Sequence, residues 1–152
     1  YLAVDVVKDR LVLRADDAPP LALDNEPDDI NADGIQVYFR GVDHRIHGWL
    51  IRPTPDDRLL IRPIGGTAPD AGVAGAWQRT ARGYAISVKL PCPQLAQRRR
   101  HERLEFDLFV NEMRAGRLRR AGQLVWSGGP GWVYLRGDRH DHTPLGQLEL
   151  VG

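Results

Sequence analysis

The side chains that could act as nucleophiles or acids in catalysis are few. Ser87 and Ser127 lack the Gly-x-Ser-x-Gly turn that presents a nucleophilic serine between a strand and a helix. Cys92 lies between two prolines after a strand pattern, which favours a small buried side chain over a reactive thiolate. Asp107 and Glu112 could form a glycosidase carboxylate pair, but strand alternation turns Asp107 away from the apolar face, where solvated carboxylates are common. We therefore predict that the chain itself is not an enzyme.

Two groups of side chains could bind metal ions. His140 and His142 stand two positions apart in "RHDHT", so an extended segment points both imidazoles to one side, and His44 and His47 could add ligands. Since no cysteine or acidic partner stands at a fixed spacing, a solvated loop is the favoured interpretation. The aspartates of "DDINAD" (28–33) could bind calcium through oxygen ligands, although the Asp-x-Asp-x-Asp-Gly pattern is missing. A structural calcium ion is the one metal expectation, and no other cofactor is predicted.

The charge balance argues against nucleic acid and membrane as partners. The net charge is +1, from 21 basic and 20 acidic residues, and no window reaches the roughly 18 apolar residues of a membrane span. The basic runs "QRRRHER" (97–103) and "RLRR" (117–120) could bind an acidic polysaccharide. Neither run is interleaved with aromatic residues that stack on bases, and a solvated basic face is the favoured interpretation.

Four tryptophans offer aromatic surfaces. In "VWSGGPGWVY" (125–134), Trp126 ends a strand pattern and Trp132 follows a glycine-rich loop. We expect Trp49 and Trp126 to lie in the core and Trp77 to be either buried or exposed. An exposed indole at Trp132 could stack on the C–H face of a pyranose ring, while neighbouring polar groups bond the sugar hydroxyls.

Short alternating segments must position these residues. Strands are predicted over 2–7, 10–15, 34–41, 46–54, 58–64, 77–81, 83–91, 104–112, 122–127 and 146–151. Only 92–103 has the composition of a helix, and Pro53 and Pro63 place their two strands toward a sheet edge. Many short strands with turn signals between them predict one all-β domain over 1–152, an antiparallel sandwich of the immunoglobulin-like or jelly-roll-like kind.

The order of the motifs resembles the family 9 carbohydrate-binding modules. The matching segments are "YLAVDVVKD" (1–9), "DGIQVYFRG" (33–41), "GYAISVKLP" (83–91), "LEFDLFVNE" (104–112) and "VWSGGPGWVYLRGDRHDHTPLGQLEL" (125–150). That family usually begins with a further strand containing "idG.lde.W". Because this strand is not found here, we expect the chain to be a C-terminal part of a larger protein.

The resemblance implies a non-catalytic accessory module of a secreted, multidomain polysaccharide-active enzyme, located in the periplasm or outside the cell. Sugar-binding members of this family bind the sugar between two tryptophan rings. Trp132 matches one of these tryptophans, and Ile30 stands at the position of the other. Asn111 and Glu112 match a polar pair near the family's site, and Arg52 matches an arginine of the hairpin strand. The ligand residues implied are thus Trp132, Asn111, Glu112 and Arg52. Trp126 matches a structural tryptophan.

Two other functions stay open. The chain could be a structural sandwich that packs against a catalytic domain and binds no sugar, since half of the aromatic clamp is missing. It could also be a haem-binding redox domain, because related sandwiches bind haem through methionine and histidine or lysine, and Met113 follows the strand over 104–112. The partner is accordingly a carbohydrate or an adjacent catalytic domain.

Overall fold

A computed structural model describes residues 1–23, 28–64, 67, 72–90, 103–128 and 144–149. These residues contain nine strands and a short 3-10 helix at Asp28–Ile30. The strands are β1 (Leu2–Val7), β2 (Gly34–Arg40), β3 (Ile46–Pro53), β4 (Leu59–Ile64), β5 (Ala74–Thr80), β6 (Gly83–Lys89), β7 (Arg103–Glu112), β8 (Gly122–Val125) and β9 (Gly146–Glu149). No helix in this described part is long and apolar enough to cross a membrane.

The strands form two antiparallel sheets that pack as a sandwich, which confirms the predicted fold class. The smaller sheet has the order β1-β6-β5. The larger sheet has the order β4-β3-β2-β7-β8, and β9 pairs with the first half of β7. The connections from β2 to β3, from β3 to β4 and from β5 to β6 are short hairpins.

Alternate side chains of the facing strands fill the space between the sheets. The buried set is Ile35, Val37, Phe39, Trp49, Ile51, Tyr84, Ile86, Val88 and Leu104. Trp49 stacks on Phe39 with ring centroids 5.5 Å apart. Trp49 is therefore a core residue, as predicted.

The outer face of the larger sheet is also buried. A second apolar cluster on this face contains Ile30, Tyr38, Ile46, Leu50, Ile64, Phe109 and Leu145. The segment that follows β1 crosses from the smaller sheet and bonds to this side of the molecule, since the Val12 N–H donates to Asp33 and Arg52 donates to the Arg14 carbonyl. Polar side chains on the outer face consequently lie inside the protein.

Two local predictions differ from the structure, and a third falls mostly outside the described residues. Residues 10–15 do not form a strand, because they lie in the crossing segment, where Val12 bonds to the backbone and carboxylate of Asp33 and the Arg14 carbonyl accepts from Arg52, without a continuous ladder to a neighbouring strand. β3 lies between β4 and β2 and not at an edge, since Pro53 is its last residue and Pro63 lies on the edge strand β4. The helix predicted over 92–103 lies outside the described residues except for Arg103, which begins β7.

Asp107 and Trp126 also differ from expectation. Asp107 faces away from the space between the sheets as predicted, but it is buried rather than solvated and accepts a 2.8 Å hydrogen bond from the Ser127 hydroxyl. Trp126 follows β8 in a turn and is 49% exposed, so the prediction of a core tryptophan is wrong. Its ring meets the edge of Phe106, with centroids 5.5 Å apart, and lies over Gly146.

Candidate functional site

A row of polar residues crosses the outer face of the larger sheet at one end. Gly34 of β2 is paired with Asn111 of β7, which is paired in turn with Gln123 of β8. On the other side, Gly34 abuts Arg52 of β3, because a Cβ atom at Gly34 would lie 2.7 Å from the Arg52 Cβ. The strand register therefore brings Arg52 and Asn111, far apart in sequence, to either side of one glycine.

Arg52 is a buried cation with one free donor. Its side chain is held by the Arg14 carbonyl and by Asp16, whose carboxylate is 3.1 Å from Nη2. Its Nε–H is buried and has no acceptor among the described residues. Burial lowers the pKa of Arg52, and the carboxylates of Asp16 and Asp29 oppose that shift. A guanidinium nevertheless stays charged in a protein, so Arg52 can donate but cannot accept a hydrogen bond.

Asn111 ends a chain of buried amides. Its Oδ1 accepts from Gln36 at 3.0 Å and from Gln123 at 2.9 Å, and Gln36 accepts from the Tyr38 hydroxyl at 2.6 Å. These bonds fix the orientation of the Asn111 amide, so that its NH₂ group points the other way. That group is buried and has no acceptor among the described residues.

The two free donors give the row its chemical character. Buried N–H groups are nearly always paired in proteins, and the rare exceptions need a physical explanation. The Nε–H of Arg52 and the NH₂ group of Asn111 could donate to hydroxyl, ring or carboxylate oxygens of a ligand. The row therefore offers two buried N–H donors to an oxygen acceptor, and it contains no nucleophile or acid–base pair.

Asp33, next to Gly34, fixes the backbone beside this row. Its carboxylate accepts from Lys8 Nζ at 2.6 Å, from the Met113 N–H at 2.9 Å and from the Val12 N–H at 2.7 Å. These partners belong to the end of β1, the crossing segment and the end of β7. From the sequence, Asp33 is expected only as a candidate calcium ligand; the signal for its structural role is an aspartate directly before a strongly alternating strand.

The remaining predicted ligand residues do not join the row. Glu112 lies on the opposite side of β7 from Asn111 and is exposed, with its carboxylate 3.7 Å from Arg114. The same alternation places Glu112 and Asp107 on opposite faces, so they do not form a carboxylate pair. Trp132 lies outside the described residues. Ile30, which takes the place of the second family tryptophan, is fully buried in the second apolar cluster.

The candidate metal ligands are engaged elsewhere where they are described. Asp28 accepts from the Leu21 N–H, Asp29 pairs with Arg62, and Asp33 pairs with Lys8. In the parts of the chain that the structure describes, no three histidine, cysteine, aspartate or glutamate side chains form a metal-binding group. His47 bonds to Asp43 at 3.1 Å, whereas Cys92 and the histidines at 140 and 142 lie outside the described residues.

An apolar cavity of about 570 Å³ opens between the sheets beside β1. Its walls come from β1 and from the inner face of β2, β7 and β9, and its rim includes Tyr1 and Trp126. Tyr1 is fully exposed. Met113, the residue considered for haem ligation, is buried and does not line this cavity.

The fold is that of a carbohydrate-binding-module sandwich. A family 9 carbohydrate-binding module from Caldicellulosiruptor kristjanssonii, solved in complex with cellotriose, matches 93% of this chain with a TM-score of 0.60 and 11% sequence identity. The chain covers 64% of that module's length, and at this identity the likeness shows the fold alone. No protein-family model and no curated protein matches the chain.

Proposed function

We propose that the chain is a non-catalytic carbohydrate-binding module of a multidomain polysaccharide-active protein located in the periplasm or outside the cell. The observation that carries the proposal is the polar row on a sandwich of this fold, in which Arg52 and Asn111 each have an N–H donor without an acceptor among the described residues. Sugars present many oxygen acceptors, and buried donors at fixed positions are the groups that orient them. The structurally similar family 9 module, which was solved in complex with cellotriose, supports a carbohydrate as the class of ligand.

In this proposal, Trp132 supplies the stacking platform. An indole face covers the C–H side of a pyranose ring, while Arg52 and Asn111 donate to its oxygens. Glu112 has no part in this proposal, because its side chain lies on the opposite side of β7 from Asn111. With one aromatic platform instead of two, we expect a dissociation constant on the order of 1 mM, equivalent to about 4 kcal/mol.

A calorimetric titration with neutral and acidic oligosaccharides tests the proposal. We expect saturable binding that is lost in Trp132→Ala and retained in Trp126→Ala, which removes the other indole of the same segment from a half-exposed position. Tryptophan fluorescence and circular dichroism check that both variants are folded. Absence of saturable binding by the folded wild type at concentrations well above the expected constant would refute the proposal.

One alternative has its own structural support. The apolar cavity beside β1 and the half-exposed Trp126 are surfaces that a neighbouring domain could cover, as a purely structural module requires. If the titration shows no binding, Trp126→Ser in the intact parent protein should speed limited proteolysis between the domains. An unchanged digestion pattern would contradict the structural role.

A further inference from the structure

A second groove lies at the end of the smaller sheet, where β1 ends and the β5–β6 hairpin turns. It has a volume of about 570 Å³, and its lining includes Lys8, Asp9, Arg10, Arg79 and Arg82. We propose that this groove, named here the arginine groove after Arg10, Arg79 and Arg82, binds the carboxylate or sulfate groups of an acidic polysaccharide.

The backbone that carries the three arginines is fixed. The Lys8 N–H donates to the Arg82 carbonyl at 2.7 Å, which ties the end of β1 to the hairpin turn. Val7 is paired with Gly83, and Thr80 with Gly83 across the turn. The guanidinium of Arg79 lies 5.7 Å from the centre of the Trp77 ring, a distance typical of a cation–π contact. The backbones of Arg79 and Arg82 are therefore held in the hairpin, and Arg10 lies between Lys8 and Val12, whose backbone N–H groups bond to the Arg82 carbonyl and to Asp33.

No carboxylate of the described residues neutralises the three arginines of the groove. Arg10, Arg79 and Arg82 have no carboxylate within 4 Å among the described residues, in contrast to several other arginines: Arg14, Arg40, Arg52, Arg58 and Arg62. Lys8 does not contribute a free charge, since its ammonium group is paired with Asp33. With Asp9 as the acidic lining residue, three guanidinium groups against one carboxylate leave two positive charges.

The chemistry favours oxyanions on a sugar chain. The planar fork of an arginine matches carboxylate and sulfate oxygens through paired hydrogen bonds. The lining residues include no aromatic side chain on which a nucleic-acid base could stack, so a polysaccharide suits the groove better than single-stranded nucleic acid. This site goes beyond the proposed function, because it takes charged groups and is separate from the row of Arg52 and Asn111.

Two variants with the same loss of charge test the arginine groove. The first replaces Arg10, Arg79 and Arg82 with Gln. The control replaces Arg45, Lys89 and Arg114 with Gln, which removes the same number of positive charges from exposed positions outside the groove and outside both basic runs. Both are titrated at low and high salt with oligogalacturonate, which carries only carboxylates, with a sulfated dextran oligosaccharide and with a neutral cello-oligosaccharide.

We expect the groove variant to lose about tenfold or more in affinity for at least one acidic probe at low salt, and the control to change by no more than about threefold. The better acidic probe identifies carboxylate or sulfate as the preferred group. Equal losses in both variants, or no loss in either, would overturn the proposal. So would tighter, groove-dependent binding of a single-stranded oligonucleotide. Binding of the neutral probe, tested with Trp132→Ala, reports separately on the proposed function.

Discussion

At the scale of single residues, the buried hydroxyl of Tyr84 makes the unfolding free energy of the protein depend on pH in the alkaline range. Its side chain is fully buried and its hydroxyl has no hydrogen-bond partner among the described residues. Burial, together with the negative charge of Asp33, raises the pKa of Tyr84 above its ordinary value. The unfolded chain therefore releases this proton first, and the contribution of Tyr84 to the unfolding free energy is constant below about pH 10 and falls by about 1.4 kcal/mol per unit above it. We expect Tyr84→Phe to remove this part of the alkaline loss in urea titrations at several pH values.

Tyr38→Phe is the matched control for that measurement. The Tyr38 hydroxyl donates to Gln36 at 2.6 Å, so its removal should cost about 1 kcal/mol at neutral pH, whereas Tyr84→Phe should be neutral or slightly stabilising there. If the wild type and Tyr84→Phe lose stability in parallel above pH 10, Tyr84 does not carry the alkaline effect.

At the scale of elements, Gly83 permits the pairing of β1 with β6. Its φ angle is +150°, and a Cβ atom there would lie 2.0 Å from the Val6 carbonyl oxygen. The clashing atom belongs to the backbone of β1 and cannot rotate away as a side chain could. Gly83→Ala must therefore push β1 away from β6, and we expect a loss of about 2–4 kcal/mol in unfolding free energy. Gly122→Ala on β8 is the control, since no atom of another residue lies near its Cβ position. It should change stability by less than about 1 kcal/mol, and equal losses in the two variants would contradict this account.

The strands could be predicted from the sequence. The burial of the outer face of the larger sheet by a distant segment of the chain could not. Alternation placed Arg52 and Asn111 on strands and turned Asp107 outward, because the period of two is a local property. It could not show that the outer face is buried, since the segment that contacts this face comes from residues distant in sequence. The apolar pattern of 10–15 was mistaken for a strand for the same reason. The proximity of Arg52 to Asn111 depends on strand order, which a single sequence does not encode locally.

At the scale of the whole molecule, Asp33 joins the two sheets. It is fully buried and bonds to Lys8 after β1, to the crossing segment at Val12 and to Met113 after β7. Asp33→Asn keeps the shape but leaves the Lys8 ammonium, which is 14% exposed, without its charge partner. Removing one partner of an ion pair costs about 3–5 kcal/mol of unfolding free energy when both groups are buried. Because Lys8 is partly exposed, we expect a somewhat smaller loss for Asp33→Asn.

A double-mutant cycle with Lys8→Met separates the ion pair from the other bonds of Asp33. If the pair dominates, Lys8→Met should relieve part of the damage of Asp33→Asn, with a coupling of about 1–3 kcal/mol in urea unfolding. Hydrogen exchange adds the spatial test, because loss of this link should expose amides of residues 8–15 and of 113 before those of β2 and β3. Additive losses with uniform exchange would mean that Asp33 stabilises only its own surroundings, and that the crossing segment is held to the larger sheet chiefly by the bonds of Arg52 to Arg14 and Asp16.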